Sequence, residues 1–257
     1  MTAEADPHDE RGRDLTAAPD LSCQLDPTGF ELPRVIARLA AEAGVEPRAL
    51  WQNSLGGLTF WLGERIVKWS PPVLAAALRR EEERMRWLEG RHPAPRVLDA
   101  GSDADGAWLV TAALAGDTAV TDANRARPEV AIAAIAEGLQ RIHALPLADV
   151  PTHWADETWV GRQPAQLGAR PPIDDPVLVH GDACAPNTLL DAHGRFAAHV
   201  DLGDLAPGDR WADLAVASMS LEWNYGPGRD AAFYAAYGIE PDEERIRWYR
   251  QLWELES

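Results

Sequence analysis

The sequence predicts an α+β fold, with a small β-sheet carrying one main helix followed by a larger, mainly helical part. Three observations predict it. Residues from about 51 to 110 form short apolar runs broken by turn signals. After Gly116 the apolar residues recur at helical spacing. A strand and a hairpin at about 177–200 interrupt that helical part. The 257 residues give ample length for a core, as one large unit or two packed lobes.

Taken in order, residues 1–30 are rich in Asp, Glu, Pro and Ala and read as an acidic, mobile N-terminal tail. Pro33 then opens a short helix with Val35, Ile36, Leu39 and Ala40 as its apolar face. Leu58 to Leu62 and Arg65 to Trp69 flank Gly63-Glu64 and predict a hairpin, stopped by Pro71-Pro72. A helix follows from about Leu74 to Glu89, with Leu78, Met85 and Leu88 on one face. Arg96 to Asp99 and Trp108 to Ala113 read as further strands. Ile132, Ile135, Leu139 and Ile142 mark a helix of about 15 residues. The segment 146–176 holds six prolines and reads as loop with short helical turns. Val177 to Val179 is a buried-type strand, and Thr188 to Leu190 with Phe196 to Val200 form a second hairpin. Helices at about 209–222, 229–237 and 242–255 complete the chain.

Composition narrows the function. With 24 basic and 41 acidic residues the net charge is −17, which disfavours general nucleic-acid binding and suits a cationic ligand. No apolar run reaches the length of a membrane span, and the N-terminus has no signal-peptide pattern. Two cysteines imply no disulfide framework. The expectation is a soluble cytoplasmic protein, monomer or dimer. Of the 24 basic residues 23 are Arg, and Lys68 is the only lysine. An ammonium is a compact point charge where Arg is a wide planar fork.

The most informative segment is His180-Gly181-Asp182-Ala183-Cys184-Ala185-Pro186-Asn187, followed by Val200-Asp201-Leu202-Gly203. A strand delivers His180, the next turn exposes Asp182 and Asn187, and the hairpin returns Asp201 beside Asn187. Phosphoryl transfer needs such a set: one carboxylate to orient an attacking hydroxyl, a second carboxylate and an amide oxygen to hold Mg²⁺. Asp182 suits the first role, Asn187 and Asp201 the second. A metal-hydrolase reading of His180, His199, Asp182 and Asp201, with His199 and Asp201 on one strand face, leaves Lys68 and Asn187 without a role. Cys184 reads as a packed loop residue with no activating base.

The segment 180–215, with Gly208-Asp209-Arg210-Trp211-Ala212-Asp213-Leu214-Ala215, resembles the signature of the aminoglycoside phosphotransferase family, whose fold is similar to that of protein kinases. The resemblance covers about residues 50–257. It implies a nucleotide-binding lobe at 31–111, a hinge at 112–116, and a catalytic and substrate-binding lobe at 117–257. It implies Asp213 and His180 as structural support for the catalytic loop. It implies ATP, with GTP as an open alternative, and Mg²⁺ as cofactors. Lys68 would reach the nucleotide phosphates, and the match at Trp87-Leu88-Glu89-Gly90 selects Glu81 from Glu81-Glu82-Glu83 as its partner. Ser54, Gly56 and Gly57 would form the nucleotide loop. The Ala112 carbonyl and Leu114 amide would read adenine.

The resemblance further implies an aminoglycoside phosphorylated on a hydroxyl, at the 3′ position, as in antibiotic resistance. Glu222, Asn224, Glu254 and the terminal Ser257 carboxylate are the expected substrate contacts, because a polycationic amino sugar suits charge-assisted hydrogen bonds. Two departures stand out. Asp204 follows the Asp-Leu-Gly where the family often has Arg, so a cation near the phosphates is either missing or supplied from elsewhere, as by Arg210. Only 36 residues lie between His143 and His180, a short stretch for the family's antibiotic site. The alternatives are a kinase for another hydroxylated metabolite or a peptide antibiotic, and a nucleotide-binding pseudoenzyme.

Overall fold

Pro33 fixes the start of helix α1 (Arg34–Ala43), and Gly44 ends it in a left-handed cap. The structure, a computed structural model, describes residues 30–53 and 55–256. The expected tail therefore falls, but for residue 30, outside the described residues, as do Ser54 and Ser257. Strands β1 (Arg48–Gln52), β2 (Leu58–Trp61), β3 (Arg65–Ser70), β4 (Val97–Ser102) and β5 (Ala107–Ala112) form one antiparallel sheet in the order β1-β2-β3-β5-β4. Helix α2 (Ala75–Leu88) lies between β3 and β4 in sequence.

The two-residue period of a strand gives this sheet two different faces. Leu58, Phe60, Val67 and Val110 point to one side and bury Val35, Ile36, Leu39 and Ala40 of α1. Thr59, Ile66, Lys68, Leu109 and Thr111 point to the other and line a cleft. Thr59, Lys68 and Leu109 are direct cross-strand neighbours, so the register carries Lys68 to the centre of that face.

The remaining chain is mainly helical. It comprises β6 (Asp117–Thr118), α3 (Asp122–Arg125), α4 (Pro128–His143), β7 (Pro176–Val179), β8 (Thr188–Leu190), β9 (Phe196–His199), β10 (Ala206–Asp209), α5 (Arg210–Tyr225), α6 (Asp230–Tyr237) and α7 (Glu243–Glu256). Ile132, Ile135, Leu139 and Ile142 of α4 are buried in the main core, together with most of α5. Between residues 146 and 175 the helical structure is confined to short 3₁₀ turns, as the prolines predict. Among the described residues no helix is long and apolar enough to cross a membrane.

Several short elements depart from the sequence pattern. Ala206-Pro207-Gly208-Asp209, to which the sequence pattern assigns no strand, forms β10 and pairs antiparallel with β7. A two-stranded ladder tolerates Pro207 because it is an edge. Strand β1 was not resolved by pattern because a bulge at Ala49–Trp51 breaks its alternation. Helix α5 continues to Tyr225, which places Glu222, Trp223 and Asn224 on helix.

Candidate active site

The loop after β7 is held from below by α5. Asp213, in the first turn of α5 and fully buried, accepts hydrogen bonds from the His180 amide at 2.6 Å and the Gly181 amide at 2.9 Å. Its carboxylate also meets His143 Nε2 at 2.9 Å, and His143 Nδ1 meets the Tyr237 hydroxyl at 2.7 Å. His180 hydrogen-bonds within the loop: Nε2 to the Val200 carbonyl at 3.0 Å, and Nδ1 accepting from the Asp182 amide at 3.2 Å. Gly181 has φ +81°, and a Cβ there would drive into the backbone of Asp204. Only glycine fits both the angle and the space.

Lys68 is clamped between two carboxylates. Its Nζ donates to Glu81 Oε1 at 2.6 Å and to Asp201 Oδ1 at 2.9 Å. Glu81 is selected by helix geometry: with Leu78, Met85 and Leu88 it falls on the buried stripe of α2, which Glu82 and Glu83 do not. Burial opposes the Lys68 charge, but Asp201 and then Glu81 outweigh it and hold the ammonium above its usual pKa. Burial pushes the Glu81 carboxyl up, offset in part by Lys68. The Lys68 charge holds Asp201 below the usual carboxylate range.

Asp201 does not continue β9. The strand stops at His199, and Asp201 takes φ +60°, the left-handed region. That turn ends the alternation expected to put His199 and Asp201 on one face. His199 is buried, with Nδ1 3.0 Å from His92 Nε2, whereas the Asp201 carboxylate opens into the cleft. The imidazoles of His180 and His199 are engaged elsewhere, and no cluster of three or more His, Cys, Asp or Glu among the described residues is arranged to hold a metal. The hydrolase arrangement is absent on that ground.

Asp182 and Asn187 face the same cleft. Asn187 Nδ2 donates to Asp182 Oδ2 at 2.8 Å and to the Asp182 carbonyl at 3.0 Å. Among the described residues the Asn187 amide oxygen accepts no hydrogen bond, so it is available as a ligand. Burial, then the nearby charge of Asp201, raises the Asp182 carboxyl above its usual range. Burial likewise pushes up the Cys184 thiol, which hydrogen-bonds Asp182, so Cys184 remains protonated. An amide oxygen and one open carboxylate form a hard oxygen set that fits Mg²⁺, which takes few protein ligands and completes its shell elsewhere.

The cleft has a volume of about 380 Å³ and is lined by Lys68, Glu81, Ala112, Leu114, Asp182, Asn187 and Asp201 among others. Gly56 and Gly57 do not line it. Asn53 Oδ1 accepts from the Leu55 amide at 3.0 Å and the Gly57 amide at 2.7 Å, so this loop is closed on itself. Glu222 and Asn224 sit at the far end of α5, and Glu254 lies exposed near the end of α7. The indoles of Trp223 and Trp253, 5.7 Å apart, bring those two helix ends together. Asn224 is tied to the loop through Ser220: its Nδ2 donates to Ser220 Oγ at 3.2 Å, and Ser220 Oγ accepts from the Ala185 amide at 2.9 Å. Arg210 is not at the cleft; it pairs with Asp175 at the start of α5.

Sequence reasoning missed two residues, Trp51 in the cleft and Arg84 behind it. Trp51, 46% exposed, lines it because the bulge turns Trp51 and its neighbour Leu50 both toward it. Arg84, a buried cation behind the cleft wall, does not line the cleft and so does not replace the cation expected from Arg210. It is fully buried and donates to the Leu205 carbonyl at 2.8 Å and the Gly203 carbonyl at 2.7 Å. Its signal was its place three residues after Glu81 on the buried stripe. Asp204, noticed in the sequence as a departure, lies between the two carbonyls that Arg84 binds, and burial and then the Asp182 charge raise its carboxyl above the usual range.

The phosphotransferase enzyme family matches this chain over residues 39–170 and 163–249. A streptomycin 3''-kinase of Streptomyces griseus is 33% identical over 230 residues, covering 73% of this chain and 83% of that protein. An aminoglycoside 3'-phosphotransferase of Streptomyces fradiae is 32% identical over 224 residues, covering 73% and 83%. Among solved structures, aminoglycoside phosphotransferase APH(3'')-Id from Streptomyces rimosus superposes with a TM-score of 0.68 at 29% identity, over 87% of this chain and 99% of that one. Its complex with ADP and streptomycin superposes with a TM-score of 0.64 at 28% identity, over the same shares.

Proposed function

The chain belongs to the aminoglycoside phosphotransferase family of phosphotransferase enzymes, with its kinase-like fold, and from that premise we propose that it transfers the γ-phosphoryl group of ATP to a hydroxyl of an aminoglycoside. The observation that carries this reading is the convergence of five groups on one cleft: Lys68 held by Glu81 and Asp201, and Asp182 held by Asn187. We assign residues 31–111 to the nucleotide lobe, 112–116 to the hinge, and 117–257 to the catalytic and substrate lobe. The need for ATP places the reaction in the cytoplasm.

Each group has one task in this reading. Lys68 binds the nucleotide phosphates and is already charged and aimed by Glu81. Asp182 takes the acceptor hydroxyl as hydrogen-bond donor and receives its proton, with Asn187 fixing the carboxylate through Oδ2. Asp201 and the Asn187 amide oxygen would hold Mg²⁺, which when bound offsets charge on the transferred group. The backbone at Ala112 and Leu114 receives the base, and Trp51 covers it. Glu222, Asn224 and Glu254 contact the cationic substrate. Such a site works by positioning and by charge already in place.

We read the acceptor as the 3′ hydroxyl. The likeness to the 3''-kinases makes the 3'' hydroxyl the second reading. The test is to incubate the protein with ATP, Mg²⁺ and a panel of aminoglycosides. A mass increase of one phosphate is expected, and phosphorus–proton correlation on the product identifies the hydroxyl. Nucleotide binding with no phosphorylated product from any drug overturns the proposal in favour of a binding protein.

A further inference from the structure

The strand Leu58-Thr59-Phe60-Trp61 buries Leu58 and Phe60 against α1, so its two-residue period turns Thr59 to the cleft. Register then fixes the neighbours of Thr59. Trp51 of β1 lies directly across on one side and Lys68 of β3 on the other. Side chains paired in this way stand about 5 Å apart at Cβ. The Thr59 hydroxyl is thus the polar group of the cleft wall next to the Lys68 ammonium. The Thr111 hydroxyl lies further toward the hinge, opposite Ile66. Among the described residues the Thr59 hydroxyl makes no hydrogen bond, and the residue is only half-buried, so it is open to a ligand.

The loop between β1 and β2 offers the phosphates little else. The Asn53 amide donates to the Gly57 carbonyl at 2.9 Å, and the Gly56 amide to the Asn53 carbonyl at 3.2 Å. With the Leu55 and Gly57 amides on Asn53 Oδ1, every amide from Leu55 to Gly57 is engaged inside the loop. The glycines serve that closure. A Cβ on Gly57 would come within 2.6 Å of Asn53 Nδ2, and Gly56 takes φ +86°. Backbone amides hold an anion only when they point outward to it. Lys68 already gives two of its N–H groups to Glu81 and Asp201. A phosphate beside it therefore needs a further donor from the sheet itself.

We infer that the Thr59 hydroxyl donates a hydrogen bond to the phosphate chain of the nucleotide beside Lys68, in place of the loop amides. This rests on the nucleotide-binding part of the reading above. A nucleotide with its base beneath Trp51 and its phosphates at Lys68 passes Thr59 on the way, since the three residues form one row across the sheet. A hydroxyl on an anionic oxygen makes a charge-assisted bond, shorter and about twice as strong as a neutral one. The branched Thr side chain has few rotamers, so it loses little freedom in making that bond.

The test compares Thr59→Val, which keeps the branched shape and loses the hydroxyl, with Thr59→Ser, which keeps the hydroxyl. Binding of ADP and of adenosine is measured by titration calorimetry with Mg²⁺ present, so no acceptor drug is needed. Thr59→Val should weaken ADP binding about tenfold and change adenosine binding by less than about twofold. Thr59→Ser should recover most of the ADP affinity. Adenosine binding at wild-type strength shows that the variants are folded. An equal loss on both ligands overturns the inference in favour of a contact with the sugar or of general packing. Unchanged ADP affinity in Thr59→Val overturns it as well and leaves the phosphates to Lys68. If the wild type binds neither ligand, the nucleotide reading falls and this inference with it. The expected loss of ADP affinity in a protein that phosphorylates no drug removes the transfer reading alone and still supports the contact.

Discussion

Asp182 carries opposing demands. In the proposed reaction its carboxylate must be ionised to receive a proton, yet burial and Asp201 raise its pKa. A carboxyl with a raised folded pKa favours folding only below the usual carboxylate range, and its charge is a net cost to folding at neutral pH. Asp182→Asn should therefore lower kcat by about a thousandfold or more while raising Tm by a few degrees, since about 1 kcal/mol moves a chain of this size by 2–4 °C. A coupled ATP assay and a thermal melt check both. Lys68→Arg keeps the charge but puts a planar fork where two carboxylates are set for one nitrogen. It should reduce kcat/KM at least tenfold, read from ATP-dependent turnover. Both residues were legible in the sequence, Lys68 as the only lysine and Asp182 from its spacing to Asn187 and Asp201. Asp204 was legible as an oddity only, because its setting depends on where Arg84 and Gly181 lie in space.

At the scale of elements, helices α4 and α5 act as the floor of the site. Asp213 receives two buried loop amides and His143. Asp213→Ala strands those donors and should cost about 3 kcal/mol, measured by urea unfolding. Gly138 of α4 lies against the His199 and Phe196 rings, where a Cβ would come within 2.7 Å of both. Helix propensity favours alanine by about 1 kcal/mol, and overpacking costs about 1–3 kcal/mol. Both rings are buried and have little room to yield, so Gly138→Ala should lower Tm. The long helices were legible because their apolar period is strong. The short strands were not: β10 contains Pro-Gly, and β1 owes its shape to a bulge. The closed Asn53 loop was also hidden, since two glycines show flexibility but not which amides they leave free.

At the scale of the whole molecule, acid should be damaging. Burial holds the His92 imidazole down to about 3, and it holds His199 low as well. A histidine kept neutral in the fold contributes stability above its unfolded pKa, and loses it as pH falls from about 6.5 toward 3. Melts across that window should show Tm falling steadily, with a shallower fall in His92→Gln. The two-part plan, a sheet with one helix and then a helical part, was legible from periodicity alone. The joint between the parts was not, because it rests on single side chains far apart in sequence.

Arg84 is the clearest of these. It belongs to α2, beside the sheet, but nearly all its donors end on carbonyls and a carboxylate from residues 154–205. If the parts came apart, the guanidinium would lose all of these bonds together and the apolar surface packed around it would be opened to water. Neither part therefore has a comfortable independent existence. The chain should melt as a single cooperative unit, with nucleotide entering through the mouth of the cleft rather than by wholesale separation of its walls.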